Sequence, residues 1–261
     1  MKNVSINISS VNKKEGETPL EALEVFRNKN KIGEDVPMTY AGRLDPMASG
    51  VMIILVGEEC KNKEKYLKLD KEYEFSVLFG FATDTYDILG KVVRQDLTTL
   101  DLTTFSQSEL EKLIKKNLKF FKGKIMQKYP MYSSKTVAGK QLHEYARMGE
   151  EVDAPEHEVN VKSLKFLKIR KISSGKLLEN IEKRISKVNI KNDFRQKEIL
   201  KIWQTCVRQD LTQSYLIGSF SARVSSGTYI RTISNDLGEK IGIPALAYSI
   251  KRTKVGKFVN I

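Results

Sequence analysis

The chain is poor in the residues on which several kinds of protein chemistry depend. Cys60 and Cys206 are its two cysteines, far apart and without a CxxC, so neither a disulfide framework nor a thiolate metal site is indicated. His143 and His157 are its two histidines, which argues against a histidine-rich metal centre or a Ser-His-Asp hydrolase. There is no P-loop and no GxGxxG, so a nucleotide or dinucleotide cofactor has no visible cradle. No apolar run approaches the roughly 20 residues of a membrane-spanning helix. The polar start Met1-Lys2-Asn3 begins no signal peptide, and a cytoplasmic location is expected. Acidic residues are also in deficit: 32 Asp and Glu against 45 Lys and Arg leave a net charge of +13. Such a chain suits a polyanionic partner, nucleic acid ahead of a membrane surface. Its 261 residues can bury a sizeable core as one large domain or two small ones.

The most informative stretch is Ala41-Gly42-Arg43-Leu44-Asp45-Pro46-Met47-Ala48-Ser49-Gly50. Pro46 pushes Asp45 out of the helical region, so the carboxylate is aimed rather than loosely displayed. Residues 51–56 are apolar without alternation, which reads as a strand buried on both faces, or as a buried helical turn. A simpler reading of Asp45 also stands at this point, a helix N-cap with Pro46 in the first helical position.

Along the rest of the chain, Leu20, Leu23 and Phe26 recur at helical spacing behind Thr18-Pro19, and residues 61–70 form a short basic helical patch. Tyr73, Phe75, Val77 and Phe79 alternate as in a half-buried strand. Residues 83–90 are polar and turn-rich but lack the ligand spacing of an EF-hand loop, and no metal is expected. Leu110, Leu113, Ile114 and Leu118 mark a surface helix. Residues 122–147 interleave Lys122, Lys124, Lys128, Lys135, Lys140 and Arg147 with Tyr129, Tyr132, His143 and Tyr145, a mixture suited to irregular or single-stranded RNA. Strand character returns at 161–169. A lysine-rich helical segment at 173–213 follows, carrying Ile181, Ile185 and Val188 as a narrow apolar stripe; it reads as an RNA-contacting insertion rather than core. Phe220, Ala222 and Val224 form another strand. Next comes a helix with Ile230, Ile233, Leu237 and Ile241, with Thr228 as its cap. Arg231 falls in its first turn, where the helix dipole disfavours a cation, and a carboxylate partner such as Asp45 would account for it.

Three stretches together resemble the TruB family of tRNA pseudouridine synthases. They are residues 42–50, residues 127–149 with Pro130-Met131-Tyr132-Ser133-Ser134-Lys135 and Tyr145-Ala146-Arg147, and Gly227-Thr228-Tyr229-Ile230-Arg231 with Asp236-Leu237-Gly238. Lys71-Glu72-Tyr73 and the turn Asp84-Thr85 with Asp87 are similar as well. The likeness covers residues 12–168 and 218–258, so the family's C-terminal RNA-binding domain is expected to be absent.

This resemblance implies a single α+β pseudouridine synthase catalytic domain over residues 1–261. Its sheet would be mixed and largely antiparallel, flanked by helices, with an RNA-gripping segment at 122–152 and a helical insertion at 172–216. It also implies conversion of a uridine in the T-loop of tRNA, at position 55, by a monomer without a cofactor. Asp45 would be the nucleophile, Tyr73 would lie against the flipped uracil, and Arg231 would pair with the carboxylate. Tyr229 and Ile250 would line the base pocket, with Tyr40, Arg43 and Lys135 as further substrate contacts. The family usually carries His where this chain has Tyr40, and Ala or Thr where it has Arg43. A synthase acting on rRNA or another RNA, or a tRNA-folding protein without chemistry, are the alternatives.

Overall fold

A computed structural model describes residues 6–95, 106–208 and 214–259. Residues Met1-Lys2-Asn3 and the end of the expected insertion lie outside the described residues. In chain order the elements are β1 (Ile8–Lys13), α1 (Pro19–Lys29), β2 (Met38–Ala41), β3 (Ala48–Val56), α2 (Lys63–Leu67), β4 (Lys71–Phe79), β5 (Phe81–Thr83), β6 (Val92–Gln95), α3 (Gln107–Asn117), β7 (Gly123–Lys128), β8 (Thr136–Val137), β9 (Lys140–Gln141), α4 (Leu142–Met148), β10 (Glu156–Ser173), α5 (Ser174–Ile185), α6 (Gln196–Arg208), β11 (Ser214–Val224), α7 (Ile230–Ile241), β12 (Ala245–Val255) and β13 (Phe258–Val259). Among the described residues none of the helices is long and apolar enough to cross a membrane.

One mixed sheet organises these elements in the order β1-β3-β12-β4-β11-β10-β7, with β2 on β3 and β13 on β12. Its pairings are antiparallel except that of β12 with β3, which is parallel. The fold is therefore α+β with a largely antiparallel sheet, as the resemblance implied. Strand β3 is buried on both faces: Met52, Ile54 and Val56 join the main core, while Val51, Ile53 and Leu55 pack with Tyr66 and Val255. In β4, Tyr73, Phe75, Val77 and Phe79 turn to the main core and Leu78 to the opposite one, the period-two pattern of a strand between two layers.

Helices α1, α3 and α7 cover one face through Leu23, Phe26, Leu110, Ile114, Ile233 and Leu237. Thr18 caps α1 in a capping box: its Oγ1 accepts from the Glu21 amide, and Glu21 Oε2 accepts from the Thr18 amide, which satisfies two otherwise orphaned donors. Leu20, read as part of the apolar face, is instead 59% exposed, and Ala22 takes the inward position. Thr228 is not the cap of α7 either. Tyr229 occupies the N-cap, and the Thr228 hydroxyl donates to the Ser225 carbonyl in the preceding turn.

The segment between β10 and β11 departs most from the sequence reading. Its helices bury Leu177, Leu178, Ile181, Ile185, Ile199, Trp203 and Val207, and with Leu78, Ile217, Leu246 and Tyr248 from the sheet they complete a second core. A stripe counted on one helix looked narrow; two helices pooling their stripes on the open sheet face form a full layer. Ile181→Ala should therefore cost about 2–5 kcal/mol of unfolding free energy in urea titrations. A change below about 0.5 kcal/mol would mark the segment as an appendage.

Candidate active site

The loop at residues 42–47 joins β2 to β3, and here the capping reading of Asp45 fails. Asp45 stands in a turn closed by the Ala48 amide on the Asp45 carbonyl at 3.0 Å, and the chain continues into strand, not helix. Three buried cations hold this loop. Arg252 on β12 donates from Nε to the Val51 carbonyl at 2.7 Å, from Nη2 to that of Gly42 at 2.9 Å and from Nη1 to that of Arg43 at 3.5 Å. Lys13, at the end of β1, donates to the carbonyls of Lys14, Glu17 and Pro46. The third cation is Arg231. Gly50 lets the strands close on this loop: its φ is +110°, and a β-carbon there would run into the Arg252 carbonyl, so no other residue fits without displacing β12.

Arg231 is 2% exposed and directs four donors at four acceptors. Nε lies 2.7 Å from Asp45 Oδ2 and Nη2 3.2 Å from Asp45 Oδ1, a bidentate grip on the carboxylate. Nη1 donates to the Thr85 carbonyl at 2.5 Å, and Nη2 also to that of Tyr132 at 3.1 Å. Two parallel charge-assisted bonds fix the plane of the carboxylate as well as its position. Burial works against the Arg231 charge, but Asp45 and Asp87 outweigh it and push its pKa up. Asp87, whose Oδ2 is 3.9 Å from Arg231 Nε, is pushed up to about 6, mainly by burial. Lys13 and Lys71 go the other way, each down to about 8, again chiefly through burial.

The Asp45 side chain remains about one-third exposed and opens into a cavity of about 700 Å³. Tyr40, Arg43, Tyr73, Tyr229, Ile250 and Arg231 all line it. Tyr73 and Ile250 sit on neighbouring strands, with Ile250 opposite Ala48 in the parallel pairing that leads out of the Asp45 loop. Lys135 does not line the cavity; its Nζ stands 5.3 Å from the centre of the Tyr129 ring. Tyr129 in turn stacks on His157 at 4.0 Å and meets the edge of Tyr229. Gln127 of β7 ties this aromatic group to α7, its amide oxygen accepting from the Tyr229 N–H and its amide nitrogen donating to the Tyr229 carbonyl.

Several contributors were missed in the sequence. Asp87 was noted as part of a motif but given no role. Arg252 could have been found, because it takes the inward position two residues after Ile250, where an apolar residue belongs. Lys13 at a strand end does not stand out by its spacing, and neither do Asn192 and Phe194, which with Arg195, a basic residue of the expected insertion, reach the cavity wall from the linker between α5 and α6. Among the described residues no group of His, Cys, Asp and Glu could hold a metal ion.

This sheet has counterparts among solved structures. A chain in the crystal structure of a Cbf5-Nop10-Gar1 complex superposes with a TM-score of 0.55 at 17% identity, over 97% of this chain and 49% of that one. A chain in an H/ACA RNP bound to a substrate RNA containing 2'-deoxyuridine gives a TM-score of 0.52 at 15% identity, over 97% and 48%. At the level of sequence, the model of the TruB family pseudouridylate synthase N-terminal domain matches residues 29–187, which includes α5 and so extends beyond the likeness read from motifs. The chain belongs to the TruB family of pseudouridylate synthases. Relatives named tRNA pseudouridine synthase B include one from Lactobacillus gasseri, 32% identical over 93% of this chain and 66% of its own length. Another, from Caldanaerobacter subterraneus subsp. tengcongensis, is 30% identical over 96% and 69%. This chain thus spans about two thirds of those relatives and about half of the solved chains.

The Asp87 carboxyl, at about 6 when folded against an ordinary 3.8, binds its proton more tightly in the folded protein. Its contribution to stability is full below the lower value and is lost as pH rises through the interval. Asp87→Asn removes this liability, so its melting temperature relative to wild type should be higher at pH 7.5 than at pH 4.5. An offset that does not change with pH would contradict the buried-charge account.

Proposed function

We propose that this protein isomerises a uridine of tRNA to pseudouridine, with position 55 of the T-loop as its target. The observation that carries this reading is Asp45: a carboxylate fixed by a buried guanidinium yet open to a cavity within the roughly 300–1,000 Å³ of ligand sites. Family membership and the relatives named as tRNA pseudouridine synthases support the reaction and the substrate. The net charge of +13 supports a polyanionic partner.

In this reading the target base leaves its stack and enters the cavity. The Asp45 carboxylate attacks either uracil C6 or ribose C1′, forming a covalent intermediate. The N1–C1′ bond breaks, the ring turns, a C5–C1′ bond forms, and the bond to Asp45 breaks, which returns the free carboxylate. C5 then loses its proton and N1 ends with one, so atoms balance without a cofactor or a redox step. Tyr73 lies against the uracil, where its phenol stacks and assists removal of the C5 proton. Tyr40, Tyr229 and Ile250 form the walls. Arg43 and Arg147 at the cavity, and Lys135 outside it, meet phosphates. Every residue given a role here comes from this one chain, which fits action as a monomer, and a tRNA substrate supports a cytoplasmic location. A second reading, the same isomerisation on rRNA or another RNA, is favoured by the exposed Arg43.

Tritium release from RNA labelled at uridine C5 tests the proposal. Release is expected from tRNA and should vanish when uridine 55 is replaced. Release from rRNA alone would favour the second reading, and none from any RNA would leave an RNA-binding protein.

Asp45→Asn should reduce release to background with tRNA affinity within about threefold of wild type, because the amide keeps the shape but is a poor nucleophile. Activity within about tenfold of wild type, with an unchanged melting curve, would contradict the assignment. Arg231→Lys keeps the charge but loses the fork, and a rate loss of about tenfold or more is expected. Normal turnover by the lysine variant would mean that the bidentate grip is irrelevant to the chemistry.

A further inference from the structure

The linker between α5 and α6 reaches the Asp45 clamp. Arg195 Nη1 donates to Asp84 Oδ2 at 2.7 Å, and the Arg195 guanidinium carbon lies 4.5 Å from the centre of the Tyr132 ring. Both neighbours adjoin groups that hold Arg231. The Tyr132 carbonyl accepts from Arg231 Nη2, and Thr85, next to Asp84, accepts from Nη1. Helix α6 grips the same turn twice more: Trp203 Nε1 donates to the Ile88 carbonyl at 3.1 Å, and Glu198 pairs with Lys91 at 2.7 Å. Arg195 takes part from a left-handed backbone conformation, φ +63°, which a β-carbon disfavours and which surrounding contacts must maintain.

We propose that Arg195 is a positioning residue for the isomerisation: it ties the 83–90 turn to the 129–135 segment and so fixes the two carbonyls that orient Arg231 on Asp45. The inference rests on the reading of Asp45 as the reacting carboxylate. It makes the α5–α6 segment a brace for the chemistry, whereas a segment that only held RNA would contribute affinity. The Arg195 charge is already engaged by Asp84, and its side chain is 20% exposed, a poor disposition for a phosphate contact.

The test compares wild type with Arg195→Ala, Arg195→Lys and Asp84→Asn in single-turnover rate at saturating enzyme, tRNA affinity, melting temperature and amide hydrogen exchange of residues 129–135. Arg195→Ala should slow the saturated rate about tenfold or more, with affinity within about threefold, because small misplacement of a reacting group is costly. Exchange of the 129–135 amides should rise while that of α5 and α6 stays level. Arg195→Lys keeps the ion pair and should recover part of the rate. Asp84→Asn should reproduce the loss, and the double variant should be no worse than either single one. An unchanged rate, a loss confined to affinity, or a rate loss tracking a general fall in melting temperature across the variants would each overturn the proposal. If wild type itself shows no turnover on any RNA, the functional reading falls. The exchange data then decide alone whether Arg195 holds the segment, and unchanged exchange overturns it.

Discussion

Arg231 reaches Asp45 from the first turn of α7, where the helix dipole opposes a cation by about 0.3–1 kcal/mol. It does so at 2% exposure, where desolvating an ion costs several kcal/mol. Four hydrogen bonds offset that cost, two of them to the carboxylate itself. Replacing a buried pair of this kind by hydrophobic residues of similar volume is often neutral or stabilising. What the pair supplies is geometry: a carboxylate whose plane and position are set before any substrate arrives. Much of the surrounding structure follows from this. Carbonyls of Thr85 and Tyr132 must converge on one guanidinium, which brings the 83–90 turn and the 129–135 segment to the same point. Arg252 and Lys13 hold the other side of the loop by its carbonyls, so that the carboxylate and its support meet without slack.

The parts of the fold written in local pattern were legible in the sequence. The uninterrupted run at 51–56 became a strand buried on both faces, and the alternation from Tyr73 to Phe79 became its half-buried neighbour. The misplaced charge of Arg231 pointed to a carboxylate because it breaks a local rule that a distant partner can justify, and Asp45 is that partner. Arg252 broke a rule in the same way and passed unnoticed. Leu20 looked inward by spacing alone, yet it is exposed and Ala22 is buried on the face turned to the core. The standing of α5 and α6 was illegible for another reason: whether a stripe is narrow depends on how many helices share the face, and that is a property of the assembled layer.

Residues 174–208 join the second core to the turn that helps hold Arg231. Their apolar side forms a core with the sheet, while Arg195, Glu198 and Trp203 hold the turn that bears Thr85 and Asp87. Both sets of contacts follow from topology: Tyr215 at the start of β11 packs on Phe81 of β5 at 4.9 Å, so helices laid on that sheet face also touch the turn after β5. Tyr132, His143 and Arg147 form the adjoining wall, and Gln127 ties the neighbouring aromatic group to α7.

If Asp45 and Arg231 act as one unit, a double-mutant cycle on unfolding free energy shows it. Unfolding of wild type, Asp45→Asn, Arg231→Gln and the double variant should yield a coupling of at least about 1 kcal/mol, as expected for groups in direct buried contact. Additive effects, with coupling inside about 0.3 kcal/mol, would contradict the account by making the pair a coincidence of position.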